Sequence, residues 1–483
     1  MGRLPSFMGM ALLCCAGDLD VEDGKVDGDS GEPAVHDSGG EPDTCGGGGE
    51  HTGDSSTLDS DAETGGDSEP DDTGVADTGT VDTGDTGVGS MAPICGDLGF
   101  SGVFPAVVPD VCSDGTYPSA GTVAAAALCE DGTKAVLGGV AYGVIQDAVN
   151  VSVSGDTIYI CPGVFEVNLQ VGYGLLTLEG VTGDPADVVL DGFADHRILE
   201  ANYATLQLVN LTFRNGVADY AGGAIEALES QLVVHCCTFE NNFAASEGGA
   251  IAHGGYTFPS ASIVASSIVG SSFVDNVSGS AGGAIAFGAA WDDGVLSVVG
   301  SSFEGNRAGD EGGALVLGSW RHDDIYVQDC EFVGNVSGDQ GGAVQLNTWG
   351  SATLTSVDSI FVANRAAGSG GAFYLGGWST SYQLWLEGSV LDGNRSDYAP
   401  VLNKGGRVGC SEVHLVQSAI TSSQSGEHSA VRMYDDAWIR SEDSDWGVDG
   451  SDNSGNDLNC PCGEFGDLGV SETFTCEADG TWY

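Results

Sequence analysis

The fold of this protein is decided by a stretch of sequence that the chain repeats. Residues 273–288 read FVDNVSGSAGGAIAFG, residues 303–318 read FEGNRAGDEGGALVLG, and residues 332–347 read FVGNVSGDQGGAVQLN. In each copy an Asn stands three residues after the Phe, and a Gly-Gly-Ala begins nine residues after it. A period of about 30 residues is typical of solenoids, in which each unit buries its apolar face only by stacking on its neighbours.

The same marks extend the repeat in both directions along the chain. The apolar position is occupied by Phe213, Phe239, Phe273, Phe303, Phe332, Phe361 and Leu391. The glycine doublets begin at Gly222, Gly248, Gly282, Gly312, Gly341 and Gly370. The Asn positions are Asn242, Asn276, Asn306, Asn335, Asn364 and Asn394, whereas the first copy has Asn215 one place early.

Within each unit, the apolar residues recur every second position. Leu296 and Val298 precede Phe303 in this pattern, and Leu315 and Leu317 follow the next glycine doublet. Alternation predicts short strands with one face turned inward, so each unit is one coil, and coils stack in parallel about 4.8 Å apart. We expect the Phe rings to stack inside, the Asn side chains to bond between coils in a left-handed turn, and the glycines to form a corner with positive φ.

These residues carry two family resemblances, which together cover about residues 141–400. Phe-x-x-Asn with Gly-Gly-Ala-Ile is similar to the repeat of the chlamydial polymorphic outer-membrane proteins, which implies a surface adhesin. The runs at 145–149, 155–160 and 189–192 resemble the opening of pectin-lyase-like proteins. We therefore expect an all-β chain: a single-stranded right-handed parallel β-helix over residues 134–459, with a short N-terminal capping helix.

The segments outside the coils have different compositions. Residues 1–15 resemble a signal peptide of the lipoprotein type with Cys15 as the lipidated residue, a plain signal peptide being the alternative. Residues 16–90 are rich in Asp, Gly and Thr, which predicts a disordered acidic tether. Residues 91–133 are a small Cys-containing region without assignment, and residues 460–483 form a Cys-containing tail.

The charge of the chain excludes several classes of partner. The chain has 71 acidic residues against 13 Lys and Arg, a formal net charge of −58. Nucleic acids and anionic membrane surfaces need a basic footprint, so we expect no nucleic-acid partner and membrane contact only through a lipid anchor. We expect an exported protein of a Gram-negative bacterium, either secreted or an outer-membrane or cell-surface lipoprotein.

One column of residues points to a ligand. An aromatic follows each glycine doublet by eight or nine residues, with charged side chains beside it, and flat rings with charged neighbours suit a polysaccharide. The candidate glycan-binding residues are Tyr256, Trp291, Trp320, Trp349, Trp378, Asp292, Asp293, Arg321, Asp323 and Asp324. Two alternatives stay open: the aromatic column covers the coil edge structurally, or the aspartates serve catalysis or bind calcium.

The sequence favours a non-catalytic scaffold for binding, adhesion or display. No catalytic motif and no metal site stand out, so we expect no resident cofactor, with calcium the sole candidate. The alternative is a polysaccharide lyase or glycoside hydrolase. Cys237 and Cys330 occupy one inward column three repeats apart, about 14 Å, and we expect them not to be bonded, because a disulfide joins Cα atoms within roughly 7 Å.

Overall fold

The computed structural model describes most of the chain from Ala120 to Asn459. The described residues are 120–255, 264–289, 294–318, 322–348, 350–376, 381–399, 401–404, 410–424, 430–432, 437–442, 444–446 and 458–459. The signal peptide with Cys15, the tether at 16–90, residues 91–119 and the tail at 460–483 lie outside them.

Each turn of the chain runs through up to four short strands, and the strands of successive turns pair to form four sheets. We number the sheets 1 to 4 in the order in which a coil visits them. Sheet 1 contains Val140–Tyr142, Ala135–Leu137, Asp156–Ile160, Gly174–Gly180, Ala204–Val209, Gln231–His235, Val264–Val269, Gly294–Val299, His322–Gln328, Ser351–Val357, Ser381–Glu387, Cys410–Val416 and Ala437–Glu442, in spatial order.

Sheet 2 contains Gly163–Glu166, Val188–Asp191, Thr212–Arg214, Thr238–Glu240, Ser272–Val274, Ser302–Glu304, Glu331–Val333, Ile360–Val362, Val390–Asp392 and Ala419–Thr421. Sheet 3 contains Val217–Ala218, Phe243–Ala244, Val277–Ser278, Arg307–Ala308, Val336–Ser337 and Arg365–Ala366. Sheet 4 contains Leu169–Val171, Leu199–Asn202, Ile225–Leu228, Ile251–Gly255, Ile285–Ala289, Leu315–Leu317, Val344–Leu346, Phe373–Leu375, Leu402–Lys404, Val431–Arg432 and Leu458–Asn459.

The coils stack in parallel and in register, which confirms the predicted parallel β-solenoid. Phe273 pairs with Phe239 on one side and Phe303 on the other, and the strand that contains Leu296 is bonded to the equivalent strand of each adjacent coil. The antiparallel exceptions among the described strands occur at the N-terminal end, where Ala135–Leu137 pairs with Val140–Tyr142 and Asp156–Ile160.

Within the described residues, two short helices accompany the first coils, together with one turn of 3₁₀ helix at Pro185–Asp187. Helix α2, Ile145–Val151, buries Ile145, Ala148 and Val149 in the core of the first coils, as a capping helix must. Helix α1, Ala120–Ala126, lies against the outer face of sheet 1 and is followed by a disulfide between Cys129 and Cys161.

The phenylalanine ladder fills one corner of the interior. Six rings, all less than 2% exposed, stack from Phe213 to Phe361 with centroids 4.6–4.9 Å apart and planes within 7° of parallel. Leu190 precedes the ladder and Leu391 follows it in register. The ring spacing equals the coil spacing, so the same hydrogen bonds that set the register also set the aromatic contacts.

The asparagine ladder carries the polar contacts inside the same corner. The backbone N–H and the Nδ2 of Asn306 both donate to Oδ1 of Asn335, at 3.1 and 3.0 Å, and Nδ2 also donates to the carbonyl of Phe273 at 2.9 Å. The expected bonds between coils are confirmed, but the left-handed residue is the one before the Asn: Gly305 has φ +65°. Asn215 occupies that left-handed position, with φ +53°, which explains its early place in the first copy.

The glycine doublet has two separate requirements. Gly282 has φ +64°, so the expected corner with positive φ is confirmed. Gly283 is needed for space, because a Cβ there would collide with the carbonyl oxygen of Gly313 in the next coil. The first glycine of the doublet therefore allows the turn, and the second allows the backbone of the next coil to approach closely.

A third ladder contains the two cysteines. Both Cys237 and Cys330 are free, buried thiols, as expected from their separation. The N–H of Ser301 donates to the sulfur of Cys330 at 3.4 Å, and the N–H of Cys330 donates to Oγ of Ser359 at 3.2 Å. Each thiol thus occupies a position that other coils fill with a serine hydroxyl. Burial raises the pKa of both thiols to about 12.

We expect Phe303→Ala to lower the free energy of unfolding by about 3–5 kcal/mol, because it removes a fully buried ring that contacts a ring on each side. Urea unfolding followed by circular dichroism measures this. Phe243→Ala is the matched control, since Phe243 is 41% exposed. A loss in Phe303→Ala no larger than in the control would contradict the ladder's role.

Candidate functional site

The candidate aromatic column lies where the chain passes from sheet 4 to sheet 1, an edge that we call the 4–1 edge. Tyr256 directly follows the sheet 4 strand Ile251–Gly255, and the four Trp residues stand in the equivalent connections of the next coils. The five aromatics lie outside the described residues, as do Asp292, Asp293 and Arg321. Among the candidates, the structure describes Asp323 and Asp324.

Asp323 faces the interior of the solenoid. It alternates with the buried Ile325 and Val327 along its strand and is itself fully buried. A Cβ added to Gly294 in the preceding coil would lie 2.5 Å from Oδ1 of Asp323 and 2.9 Å from the ring of Phe287. The missing side chain of Gly294 therefore makes room for the carboxylate, and Asp323 has no surface to offer a glycan.

Asp324 faces outward on sheet 1 and joins a chain of three polar side chains. Its Oδ1 lies 2.9 Å from Nε2 of His322, and Nδ1 of His322 lies 2.6 Å from Oγ of Ser351 in the next coil. A carboxylate, an imidazole and a hydroxyl in contact can activate the hydroxyl. The three stand on an outward strand face, where neighbouring backbone N–H groups serve the parallel ladder and do not form an oxyanion hole.

An exposed aromatic pair occupies the same edge in the first coils. Tyr173 follows Leu169–Val171 and Tyr203 follows Leu199–Asn202, both between sheets 4 and 1. Their rings stack 5.2 Å apart and 7° from parallel, and the two residues are 83% and 48% exposed. Two exposed rings stacked on each other form a contiguous apolar surface, which a ligand could cover.

Polar side chains flank the tyrosine pair on sheet 4. Nε2 of Gln170 lies 3.3 Å from Oε2 of Glu200, and Nδ2 of Asn202 donates to Oε1 of Glu200 at 2.9 Å. Arg197 places Nη1 3.7 Å from Glu200 and contacts Glu226 more closely. The edge therefore combines ring surface with amides and carboxylates, which together suit sugar hydroxyls.

The sequence reasoning missed this tyrosine pair. It aligned aromatics by their distance from a Gly-Gly-Ala doublet, and the first coils have no doublet before Tyr173 or Tyr203. The signal was nonetheless present, because each tyrosine lies just after a short sheet 4 strand and directly before the next sheet 1 strand. Counting from the strands would have added these two coils to the column, with an interruption at Glu229 and Ser230 in the coil between Tyr203 and Tyr256.

His253 is an ionisable side chain buried in the interior. It lies between Ala227 and Phe287 in the interior column of sheet 4, stacked 4.6 Å from the Phe287 ring. Its Nε2 lies 2.6 Å from the carbonyl of Ser230 and 3.1 Å from Oγ of Ser266. Burial lowers its pKa to about 4, so it is neutral at pH 7.

We expect acid to destabilise the fold through His253. The unfolded chain, with the pKa near 6.5, binds a proton that the folded chain binds only near pH 4, so this contribution to stability falls as the pH drops from about 6.5 to 4. The loss by pH 4.5 is about 2–3 kcal/mol. His253→Leu, which copies Leu317 in the same column, should lack this loss.

The measurement is urea unfolding of both proteins at pH 7.5 and pH 4.5. Burial raises the pKa of Glu247 and Glu311, which acts in the opposite direction. These groups are common to both proteins, so they cancel in the difference. Equal pH dependence in the two proteins would contradict a buried neutral histidine.

The model of the Chlamydia polymorphic membrane protein repeat matches residues 237–254. This segment is therefore similar to that repeat. It includes Phe239 of the aromatic ladder, Asn242 and the doublet Gly248-Gly249, so the match rests on residues whose role in stacking is described above. No curated protein and no solved structure matches the chain.

The match, together with the parallel solenoid, fits an exported surface β-helix protein. In the described part of the chain, no helix is long and apolar enough to cross a membrane. The same described coils bring together no group of three or more His, Cys, Asp or Glu side chains suited to a metal ion.

Proposed function

We propose that this protein is displayed on the surface of a Gram-negative bacterium and binds a glycan or a cell-surface partner through the 4–1 edge of its coil stack. The exposed Tyr173–Tyr203 pair carries this proposal, because it presents ring surface at the edge where the sequence places Tyr256 and four Trp residues. The solenoid is the scaffold that holds these aromatics at one edge, with one coil between Tyr203 and Tyr256 that has no aromatic there.

The side chains at the 4–1 edge and the negative charge of the chain favour a neutral glycan. Sugar rings present apolar C–H faces that pack on aromatic rings, and their hydroxyls bond to amides and carboxylates such as Gln170, Asn202 and Glu200. A strongly anionic glycan would meet the repulsion of a chain with a net charge of −58. Arg321 beside Trp320 is the sequence feature that would favour an acidic sugar instead.

The proposed N-terminal segments would attach the protein to the cell surface. Lipidation of Cys15 would anchor the chain, and residues 16–90 would separate the anchor from the coils. A flexible segment of that length has a root-mean-square reach of about 50 Å, and its negative charges extend it further.

We expect the double variant Tyr173→Ala/Tyr203→Ala to weaken binding of its glycan about 10-fold or more, because one stacking contact contributes about 1–3 kcal/mol. A glycan array that includes neutral and acidic polysaccharides, in calcium buffer, identifies the ligand, and calorimetry then measures the affinity. Phe243→Ala, which removes an exposed aromatic from sheet 3, is the matched control. Equal binding by all three proteins would remove the tyrosine pair from the site.

Trp320 separates binding from a structural role within the column. If the column binds a glycan, Trp320→Ala should lower the affinity by about 1–3 kcal/mol and leave the unfolding midpoint near that of the native protein. Phe303→Ala should show the reverse pattern, a loss of stability at unchanged affinity per folded molecule. A Trp320→Ala protein as unstable as Phe303→Ala, with no affinity lost, would leave the column as a cover for the coil edge.

The contacts of His322 favour a second candidate, a hydrolase that acts on polysaccharides. Ser351 lies within hydrogen-bond reach of the ring that also contacts Asp324, so Ser351 would be the activated hydroxyl. The same glycan array tests it: release of reducing ends, abolished in Ser351→Ala, would establish hydrolysis. Retention of glycan without cleavage supports the scaffold.

A further inference from the structure

The outer face of sheet 2 carries an exposed apolar patch in the later coils. In each three-residue strand the middle residue belongs to an interior column, so the residues before and after it face outward. Val333, Ile360, Val362 and Val390 occupy such outward positions on three successive strands. Ile360 and Val390 are each 37% exposed, and the other two are half-buried. We refer to these four residues as the sheet 2 patch.

Polar strands border the patch at both ends. In the four strands before it, polar residues predominate at the outward positions, which hold Thr212 and Arg214, Thr238 and Glu240, Ser272 and Val274, and Ser302 and Glu304. Beyond the patch, Oγ1 of Thr421 donates to Oδ1 of Asp392 at 2.7 Å. A contiguous apolar area with a polar border is typical of a surface that another molecule covers.

One edge of the patch is acidic. Asp329 and Asp358 are exposed at the corner between sheets 1 and 2, directly before the strands of the patch. Burial raises the pKa of Tyr326 on sheet 1, and the negative charges of these two aspartates add to that shift. Among the described residues, neither aspartate forms an ion pair.

The opposite edge, formed by sheet 3, is basic. Arg307, Val336 and Arg365 are in register on successive coils, and Arg395 follows Arg365 through a parallel bridge. The three arginines are exposed, and none of them forms an ion pair within the described coils. Like charges on adjacent strands destabilise a sheet, so this column would gain from a negatively charged partner.

The coil that contains Phe361 shows the whole pattern. Asp358 stands three residues before this Phe and Ile360 one residue before it. Val362 stands one residue after it and Arg365 four residues after it. Across the sheet, the outer surface is therefore acidic, apolar, apolar and basic in turn. A surface with this order is complementary to a second copy of itself turned by half a revolution.

We propose that the sheet 2 patch joins two copies of this chain face to face, about a two-fold axis parallel to the stack. This axis sets Ile360 of one copy against Val362 of the other, and Asp358 against Arg365, with each contact made twice. An axis along the strands would instead set arginine against arginine and aspartate against aspartate. Charge therefore selects the arrangement in which both stacks run in the same direction.

The charge distribution also favours a second copy over a partner of one sign. A uniformly acidic partner would meet the aspartate edge, and a uniformly basic one would meet the arginine edge, so either would face like charge. The net charge of −58 opposes self-association. At physiological ionic strength this repulsion is screened beyond about 8 Å, so the short-range contacts decide. The contact uses no residue of the 4–1 edge and does not depend on glycan binding.

Sedimentation equilibrium of the full chain, over a series of concentrations at about 0.15 M salt, tests the dimer. We expect a mass that rises from 48.9 kDa toward twice that value. Ile360→Asp should raise the dissociation constant about 10-fold or more, because each dimer would bury two added carboxylates. Val164→Asp is the matched control, since Val164 stands in the same outward column near the N-terminal end of the sheet and is 50% exposed. A chain that is monomeric throughout the series, or an Ile360→Asp protein that dimerises like the control, would overturn the proposal.

Charge reversal tests the orientation of the two copies. Arg365→Asp and Asp358→Arg should each raise the dissociation constant about 10-fold or more, because each sets like charges against one another across the contact. The double variant that carries both changes should recover most of the native affinity. Both residues are exposed, so the unfolding midpoint of all three variants, followed by circular dichroism, should stay near that of the native protein. Single variants without effect, or a double variant without recovery, would overturn the parallel arrangement.

Discussion

The hydrogen bonds between successive coils are the constraint on which the rest of the structure depends. They fix the coil spacing, and every interior residue must then pack against its own counterpart one coil away. Phe rings at this spacing stack face to face, Asn side chains bridge from one coil to the next, and the second glycine of each doublet leaves room for the next backbone. The register is therefore over-determined by apolar, polar and steric contacts that all agree.

Residues that occupy the same environment in every coil could be predicted from the sequence. The Phe, Gly and Asn positions recur at fixed spacings, so their repetition alone identified the coil and the interior ladders. The left-handed position was missed because its occupant changes, from Asn241 to Asp275 to Gly305, and no single residue type marks it. What recurs there is a backbone conformation, which several short or flexible residues adopt.

Asp323 shows why the candidate site was harder to predict. The sequence placed it beside Arg321 and Asp324 as surface charge, since an aspartate is seldom fully buried. Side chains alternate between the two faces of its strand, and the position of Asp323 faces the interior. Gly294 in the preceding coil provides the space for its carboxylate. That pairing links residues nearly thirty positions apart, so it becomes visible only when the coils are superposed. The same superposition brings Tyr173 and Tyr203 to the 4–1 edge.

The asparagine ladder also bears on how such a chain changes in evolution. Each interior Asn offers the same donors to the coil above and the same acceptor to the coil below. A duplicated or deleted coil therefore meets partners identical to those it replaces, and recombination between repeats changes the length of the protein without creating an unpaired amide. The connections at the 4–1 edge are free of this requirement. The stack can thus acquire or lose surface chemistry one coil at a time, while its interior remains the same.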